Sequence, residues 1–183
     1  MQRFRRLSVI LVAVVLAGTL ASASVMAADG RVVAAATGGG GYLIGDLQVS
    51  FSFNAIGRQG GSATGRLFHS VVLGGQLIEF EGRVTCVTTD PENRRAWIGG
   101  VITANNSEHP GFLNTQHEVG RDIWFRVLDN GEGNAAEADR STFVGFEGSA
   151  GIITSEEYCT SQPWPDGNAR TSPLNRGNLK VHG

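Results

Sequence analysis

Apolar and polar residues alternate with a period of two along much of the chain. Between Asp46 and Ile56 one face carries only apolar side chains and the other only polar ones. The apolar face is Leu47, Val49, Phe51, Phe53 and Ala55, and the polar face is Gln48, Ser50, Ser52 and Asn54. This pattern predicts a half-buried β-strand. The same reasoning predicts strands at 63–73, which the hairpin signal Gly74-Gly75 closes, and at 77–88.

The pattern changes in the second half of the chain. Residues 96–104 (AWIGGVITA) are apolar on both faces, which predicts a central or bulged strand. Further strands are predicted at the positions 122–128, 142–146, 151–154 and 178–182. Polar loops are predicted at 105–120 and 129–140, and 160–173 has the irregular composition of a loop.

These elements predict an all-β fold, a single antiparallel β-sandwich or small β-barrel domain over residues 42–183. An outer-membrane barrel would show the same alternation with its apolar face outward. The two-sided apolar strand and a pair of distant cysteines favour an apolar interior instead.

The N-terminus has the order of a secretory signal peptide. Three arginines, Arg3, Arg5 and Arg6, precede an apolar run from Leu7 to Leu20, and small residues then lead to Ala27. We expect cleavage after Ala27, so that residues 1–27 are removed and the protein is secreted or periplasmic with no stable membrane span. An uncleaved anchor is the alternative, but polar and small residues interrupt the apolar run. Residues 28–41, which end in four glycines, are predicted to be a glycine-rich linker.

Export changes the charge and the chemistry of the cysteines. Loss of 3 of the 15 basic residues, against 17 acidic residues, leaves a net charge of −5, which argues against a nucleic-acid partner. An oxidising compartment favours a disulfide between Cys86 and Cys159, with two buried free thiols as the alternative. The alternation places Cys86 on the apolar face of the strand 77–88.

The acidic loop after residue 128 is a candidate calcium site. It offers oxygen ligands of the kind that a hard cation takes, although glycines stand where an EF-hand needs the third and fifth ligands. The candidate ligands are Asp129, Asn130, Glu132, Asn134 and Asp139. A polar, solvated turn is the alternative interpretation.

Three other groups carry possible chemistry. Glu108, His109, His117 and Glu118 lie in one loop and could hold a zinc-like ion, or be solvated loop residues. Glu79 and Glu81 share a strand face. They could act as the paired carboxylates of a glycosidase, or they could be part of a solvated charged stripe. Trp97, Trp124 and Phe125 could line a pocket inside a barrel, or be core. The chain has no nucleophile, P-loop or dinucleotide motif, so no catalytic residue and no cofactor are predicted.

Several segments, taken in chain order, resemble a family of exported bacterial β-domains of unknown activity, sometimes called post-COAP-like. They are GGGGYLIG, VSFSFNA, FEGRVTCV, AWIGGVIT, WFRVLDNGEG and RGNLKVH, and the likeness spans Gly38 to His182. The resemblance implies an all-β domain with no catalytic or binding residues to carry over. The cysteine pair, the loop 105–120 and the segment 160–175 depart from the family pattern, and a specific function would lie there.

The sequence therefore favours an exported, non-catalytic extracellular or envelope module. Such a module would bind an envelope surface, a glycan or a protein through its loops, or it would have a structural role. One alternative is a small-ligand carrier of barrel type, which needs an apolar cavity near Trp97 and Trp124. The other is a hydrolase in which Glu79, Glu81, Asp129 or the loop histidines converge in a cleft.

Overall fold

A computed structural model of the protein describes residues 30–113, 117–133, 135–146 and 148–183. The predicted signal peptide (1–27) and the predicted calcium ligand Asn134 lie outside these residues. The strands are β1 (Val32–Ile44), β2 (Leu47–Arg58), β3 (Ala63–Leu73), β4 (Gln76–Asp90), β5 (Arg95–Asn105), β6 (Asp122–Leu128), β7 (Arg140–Thr142), β8 (Gly145–Phe146) and β9 (Thr171–His182). The helices are α1 (Pro110–Leu113) and α2 (Ser155–Ser161), and Ser149–Gly151 forms a 3-10 turn.

The strands form one antiparallel sheet that closes on itself. β1 to β6 pair in sequence order, and β6 then pairs with β7, β7 with β9, and β9 with β1. The short β8 also pairs with β6, next to the end of β7. The predicted all-β, antiparallel fold is confirmed, and its closed ring of hydrogen bonds makes it a small barrel.

The apolar row of each strand points into this barrel. In β2 the residues Val49, Phe51, Phe53 and Ala55 are buried while the residues between them are more exposed, as the alternation predicted. Their rings interlock with a partner from the opposite wall, since Phe125 on β6 lies 5.1 Å from the ring of Phe53 and 6.2 Å from that of Phe51. Side chains therefore fill the interior, as in other small barrels.

One end of the barrel is closed by the loop between β5 and β6. His117 stacks on Phe80, with 5.5 Å between ring centroids, and contacts Phe146 edge-on at 4.0 Å. Phe112 of α1 packs against the same histidine ring at 4.5 Å. The loop is therefore a plug of aromatic side chains, and the burial of His117 lowers its pKa.

Two aspartates complete the sheet at the other end. One edge of β9 pairs with β1, and beyond residue 173 its other edge lies next to the acidic loop. There Asp139 accepts the N–H of Leu179 at 2.7 Å, and Asp129 accepts the N–H of Val181 at 3.2 Å. The carboxylates thus take the place of a neighbouring strand. They satisfy backbone donors that would otherwise be buried without a partner.

The predicted glycine-rich linker is instead part of the barrel from Val32 onward, because the glycines lie in β1. A Cβ at Gly38 would lie 2.4 Å from the carbonyl oxygen of Asn178, and one at Gly40 would lie 2.2 Å from that of Arg176. The glycines therefore allow close packing against β9 rather than flexibility. The strand predicted at 151–154 is also absent, since the 3-10 turn ends at Gly151 and residues 152–154 form a short connection to α2.

A histidine lies inside the barrel without a polar partner. His69 is 2% exposed, and neither ring nitrogen has a hydrogen-bond partner among the described residues. The adjoining cavity, about 10 Å³, is lined by Tyr42, Phe51, Leu67, His69, Phe125, Ser141, Thr142 and Val144. Burial lowers the pKa of His69 to about 3, so the imidazole is neutral in the folded protein.

We expect replacement of His69 by leucine, a side chain of similar volume, to remove part of the acid sensitivity of the fold. The pKa of about 3 lies below the unfolded value of about 6.5, so the unfolded state is protonated first and stability falls as the pH drops through this interval. Each pH unit below 6.5 costs the wild type up to about 1.4 kcal/mol from this residue. Urea unfolding at pH 7 and pH 5 measures the difference. The exposed His182→Gln serves as the control, and an equal pH dependence in wild type and H69L would refute the assignment.

We expect Asp139→Asn to destabilise the protein by roughly 1–3 kcal/mol. The two carboxylate oxygens accept N–H groups from Asn130 and Leu179 at 2.8 and 2.7 Å, and an amide nitrogen in place of one oxygen would face a donor. The same substitution at the exposed Asp166 is the matched control. Equal denaturant midpoints for D139N and D166N would show that the sheet edge does not depend on this carboxylate.

Candidate functional site

The outer faces of β5 and β6 are covered by a second hydrophobic cluster. Trp97 and Trp124 point away from the barrel interior and are buried under Ile152, Tyr158 and Trp164. This cover explains why residues 96–104 are apolar on both faces. Of the two interpretations of Trp97, Trp124 and Phe125, the structure favours core: Phe125 belongs to the interior cluster and the two tryptophans to the outer one.

The helix α2 holds this cover in place. The side chain of Thr154 caps the helix by accepting the N–H of Glu157 at 3.1 Å, and Glu157 in turn accepts the N–H of Ile153 at 2.9 Å. Asp122, at the start of β6, accepts the N–H of Ser155 at 2.7 Å. The first turn of α2 is therefore bound to the barrel wall.

The predicted disulfide is confirmed, with 6.2 Å between the Cα atoms of Cys86 and Cys159, and it joins β4 to α2. Cys86 does not lie on the interior face as the alternation predicted. The pairing of β4 with β5 shifts register between Val84 and Cys86, so Val87 packs against the interior cluster and Cys86 points outward. A bulge of one residue reverses the faces of a strand, and here it directs the cysteine towards α2.

A buried arginine anchors the chain that follows α2. Arg126 of β6 is fully buried, and its guanidinium donates to the carbonyl oxygens of Trp164 and, at 2.7 Å, Ala169. The indole N–H of Trp97 donates to the carbonyl oxygen of Pro163 at 2.9 Å. Burial lowers the pKa of Arg126, but a guanidinium keeps its charge in proteins. The segment 163–169 is therefore attached to the wall through its backbone.

Trp164 and Arg170 are held in a backbone conformation that such residues rarely adopt. Their φ angles are 56° and 60°, in the left-handed region. This conformation costs roughly 1–2 kcal/mol for a residue with a side chain. It brings the Arg170 guanidinium 4.4 Å from the centroid of the Trp164 ring, a cation–π contact. Strain of this kind concentrates at binding and active sites.

These residues line a cleft of about 210 Å³ between the segment after α2 and the end of β7. Its described lining is Trp124, Thr142, Phe143, Val144, Gly145, Ser149, Tyr158, Trp164 and Arg170. A Cβ at Gly145 would lie 2.3 Å from the indole nitrogen of Trp124, so only glycine lets the backbone pass over this ring. Phe143 is 40% exposed, so its ring offers apolar surface to a ligand at this cleft.

The cleft also contains an unused polar group. Tyr158 is 1% exposed, and its hydroxyl lies near Thr142 but forms no hydrogen bond of good geometry with a described residue. Burial raises the pKa of Tyr158 above its usual value, so the hydroxyl stays protonated at neutral pH and can donate or accept. A buried hydroxyl without a partner costs about 1–3 kcal/mol.

Other concave surfaces differ from this cleft in chemistry. A groove of about 490 Å³ lies over β3 and β4, where Arg66, Glu81, Arg83 and Thr103 line it, and two of about 430 Å³ flank the disulfide. Their described linings contain no aromatic side chain. Binding sites for organic ligands are mostly apolar and aromatic with a few placed polar groups, which describes the cleft.

The structure gives the predicted calcium ligands other partners. Asp129 and Asp139 accept backbone N–H groups with both oxygens, and burial raises the pKa of Asp139. Asn130 donates to the carbonyl oxygen of Ala138, and the exposed Glu132 pairs with Lys180, which lowers the pKa of this carboxyl. Within the described parts of the chain, no three His, Cys, Asp or Glu side chains are grouped to hold a metal ion.

The residues considered for zinc binding or for hydrolysis are not all assembled at one site either. Glu108 accepts the N–H of Leu77, His109 accepts that of Gly111, and His117 is inside the aromatic plug. Glu79 contacts Asn106, whereas Glu81 lines the groove over β3 and β4. Asp129 lies beyond the opposite end of β5, and ten residues of strand span about 33 Å. Asp129 is therefore far from Glu79 and from Glu108, and Glu81 lines a separate groove.

The sequence analysis missed Phe143, Tyr158, Trp164 and Arg170. A usable signal was the spacing Thr154-x-x-Glu157, which is typical of a helix N-terminus and precedes Tyr158 and Cys159. Trp164 lies between Pro163 and Pro165 in a segment of loop composition, where a large aromatic residue needs a binding or packing reason. No helix in the described residues has the length and apolar character of a membrane span.

The chain matches no protein-family model, no curated protein and no solved structure. The resemblance to the post-COAP-like family therefore stays a prediction.

Proposed function

We propose that the protein is an exported, non-catalytic binding module that holds its ligand in the aromatic cleft. Export rests on the order of basic, apolar and small residues in 1–27. The disulfide between Cys86 and Cys159 is compatible with an oxidising compartment outside the cytoplasm.

The observation that carries the binding role is the strained and partly exposed pair of Trp164 and Arg170. These two backbone conformations cost free energy. The hydrogen bonds of the buried Arg126 and the disulfide bond of α2 hold the segment in place. The result is a rigid, concave surface with aromatic walls. A preformed site of this kind loses little conformational entropy when a ligand binds.

The two alternatives have less support. A carrier of barrel type needs interior space, and the cavity beside His69 measures about 10 Å³, roughly the volume that one water needs. A hydrolase needs an acid and a base or nucleophile around one substrate position. Asp129 lies at the opposite end of β5 from Glu79 and Glu108, and the described lining of the cleft contains no carboxylate and no histidine.

We expect Trp164→Ala to weaken ligand binding at least about tenfold, because the substitution removes the largest accessible ring of the cleft. The protein is exported by a bacterial host, and its mass shows whether cleavage occurs after Ala27. It is then applied to an array of cell-wall and extracellular oligosaccharides. Affinities of the positive spots are then measured by calorimetry. Trp164→Phe, which keeps a ring, should retain an intermediate affinity.

The control is Phe68→Ala, which removes a half-buried ring from the outer face of β3, away from the cleft. Thermal melts verify that each variant is folded. Equal affinities for the wild type and folded W164A, or an array without any binding, would reject the cleft as the binding site.

A further inference from the structure

Resting on the proposed function, we infer that the ligand is a glycan with acidic sugar rings, one of which binds in the cleft through a carboxylate. The inference adds the chemical class of the ligand, and it follows from the charge, the size and the polar groups of the cleft.

The charge of the cleft opposes that of the protein. Arg170 is exposed, and the described lining contains no acidic side chain. Arg126 adds a second positive charge below the segment, and its bonded partners are neutral carbonyl oxygens. A protein with a net charge of −5 after export repels anions in general. Arg170 at the cleft, with Arg126 buried beneath the adjoining segment, therefore favours an anion there, against the field of the whole protein.

Arg170 is placed for a carboxylate. The guanidinium carbon lies 4.4 Å from the centroid of the Trp164 ring, and its N–H groups form no hydrogen bond with a described residue. A planar guanidinium binds a carboxylate through two parallel hydrogen bonds. Trp164 and Phe143 offer apolar surface next to this charge. A ligand that fits must therefore join an anionic group to an apolar face.

The size and polar groups of the cleft indicate a sugar ring. A volume of about 210 Å³ is below the usual range for drug-sized ligands and suits a single ring. The unpaired hydroxyl of Tyr158, with Thr142 and Ser149 nearby, offers hydrogen-bonding groups between apolar walls. A pyranose has an apolar face and a rim of hydroxyl groups, which matches this arrangement, and a uronic acid carries a carboxylate as well. The cleft is partly open to solvent, so such a ring can belong to a longer chain.

The test compares acidic oligosaccharides with their neutral methyl esters, which keep the rings and remove the charge. Trimers of galacturonate, glucuronate and mannuronate are titrated into the exported protein by calorimetry at low and at physiological salt. We expect at least one acid form to bind at least tenfold more tightly than its ester, and the preference to weaken as salt rises. Arg170→Gln should reduce the preference to less than about twofold, whereas the matched control Arg66→Gln, an exposed arginine on β3, should keep it.

The outcomes separate the two claims. If acid and ester bind equally, and only Trp164→Ala abolishes both, the acidic ligand is overturned and the cleft remains the binding site. If Arg66→Gln lowers affinity as much as Arg170→Gln, the attraction is general and the inference also fails. If no acid form binds, the acidic ligand is rejected, and the array described above decides separately whether the cleft binds another class.

Discussion

The two-sided apolar character of β5 and β6 is the constraint on which the second half of the structure depends. The inner faces of these strands fill the barrel, and the outer faces carry Trp97 and Trp124, which must also be removed from water. The chain covers them with α2 and the segment after it. The disulfide, the capped helix start and the buried Arg126 all fix this cover, and the cleft is the opening that remains at its edge.

Arg126 connects packing to function. A guanidinium without access to water is costly unless its donors are paired. Arg126 donates to the carbonyl oxygens of Trp164 and Ala169, whose backbone could not relax without losing these bonds. The strained conformation of Trp164 is thereby coupled to the burial of a charge. This coupling explains how a short loop with an unusual backbone can present an aromatic ring in one orientation.

The barrel was largely predictable because it repeats a local pattern. The limits of β3 and β6 are the predicted ones, and the inward face of β2 follows the alternation. The bulge before Cys86 was not predictable, since one inserted residue leaves the composition of the strand unchanged while it reverses its faces. The place of β1 also needed the structure, because its glycines reflect the close approach of β9, which is distant in sequence. The cleft depends on contacts between segments that are distant in sequence, such as Arg126 and Trp164, which are 38 residues apart, and no local pattern records them.

The three tryptophans provide a direct test of the central claim, that the cleft is a ligand-binding site. Each indole N–H gives its own signal in a ¹H–¹⁵N spectrum: Trp124 and Trp164 line the cleft, whereas Trp97 is fully buried and bonded to Pro163. The spectrum is recorded while a uronate trimer or another array-positive oligosaccharide is added. The account predicts saturable shifts for Trp124 and Trp164 and a nearly constant signal for Trp97. Three unchanged signals, or a shift of Trp97 as large as that of Trp164, would contradict it.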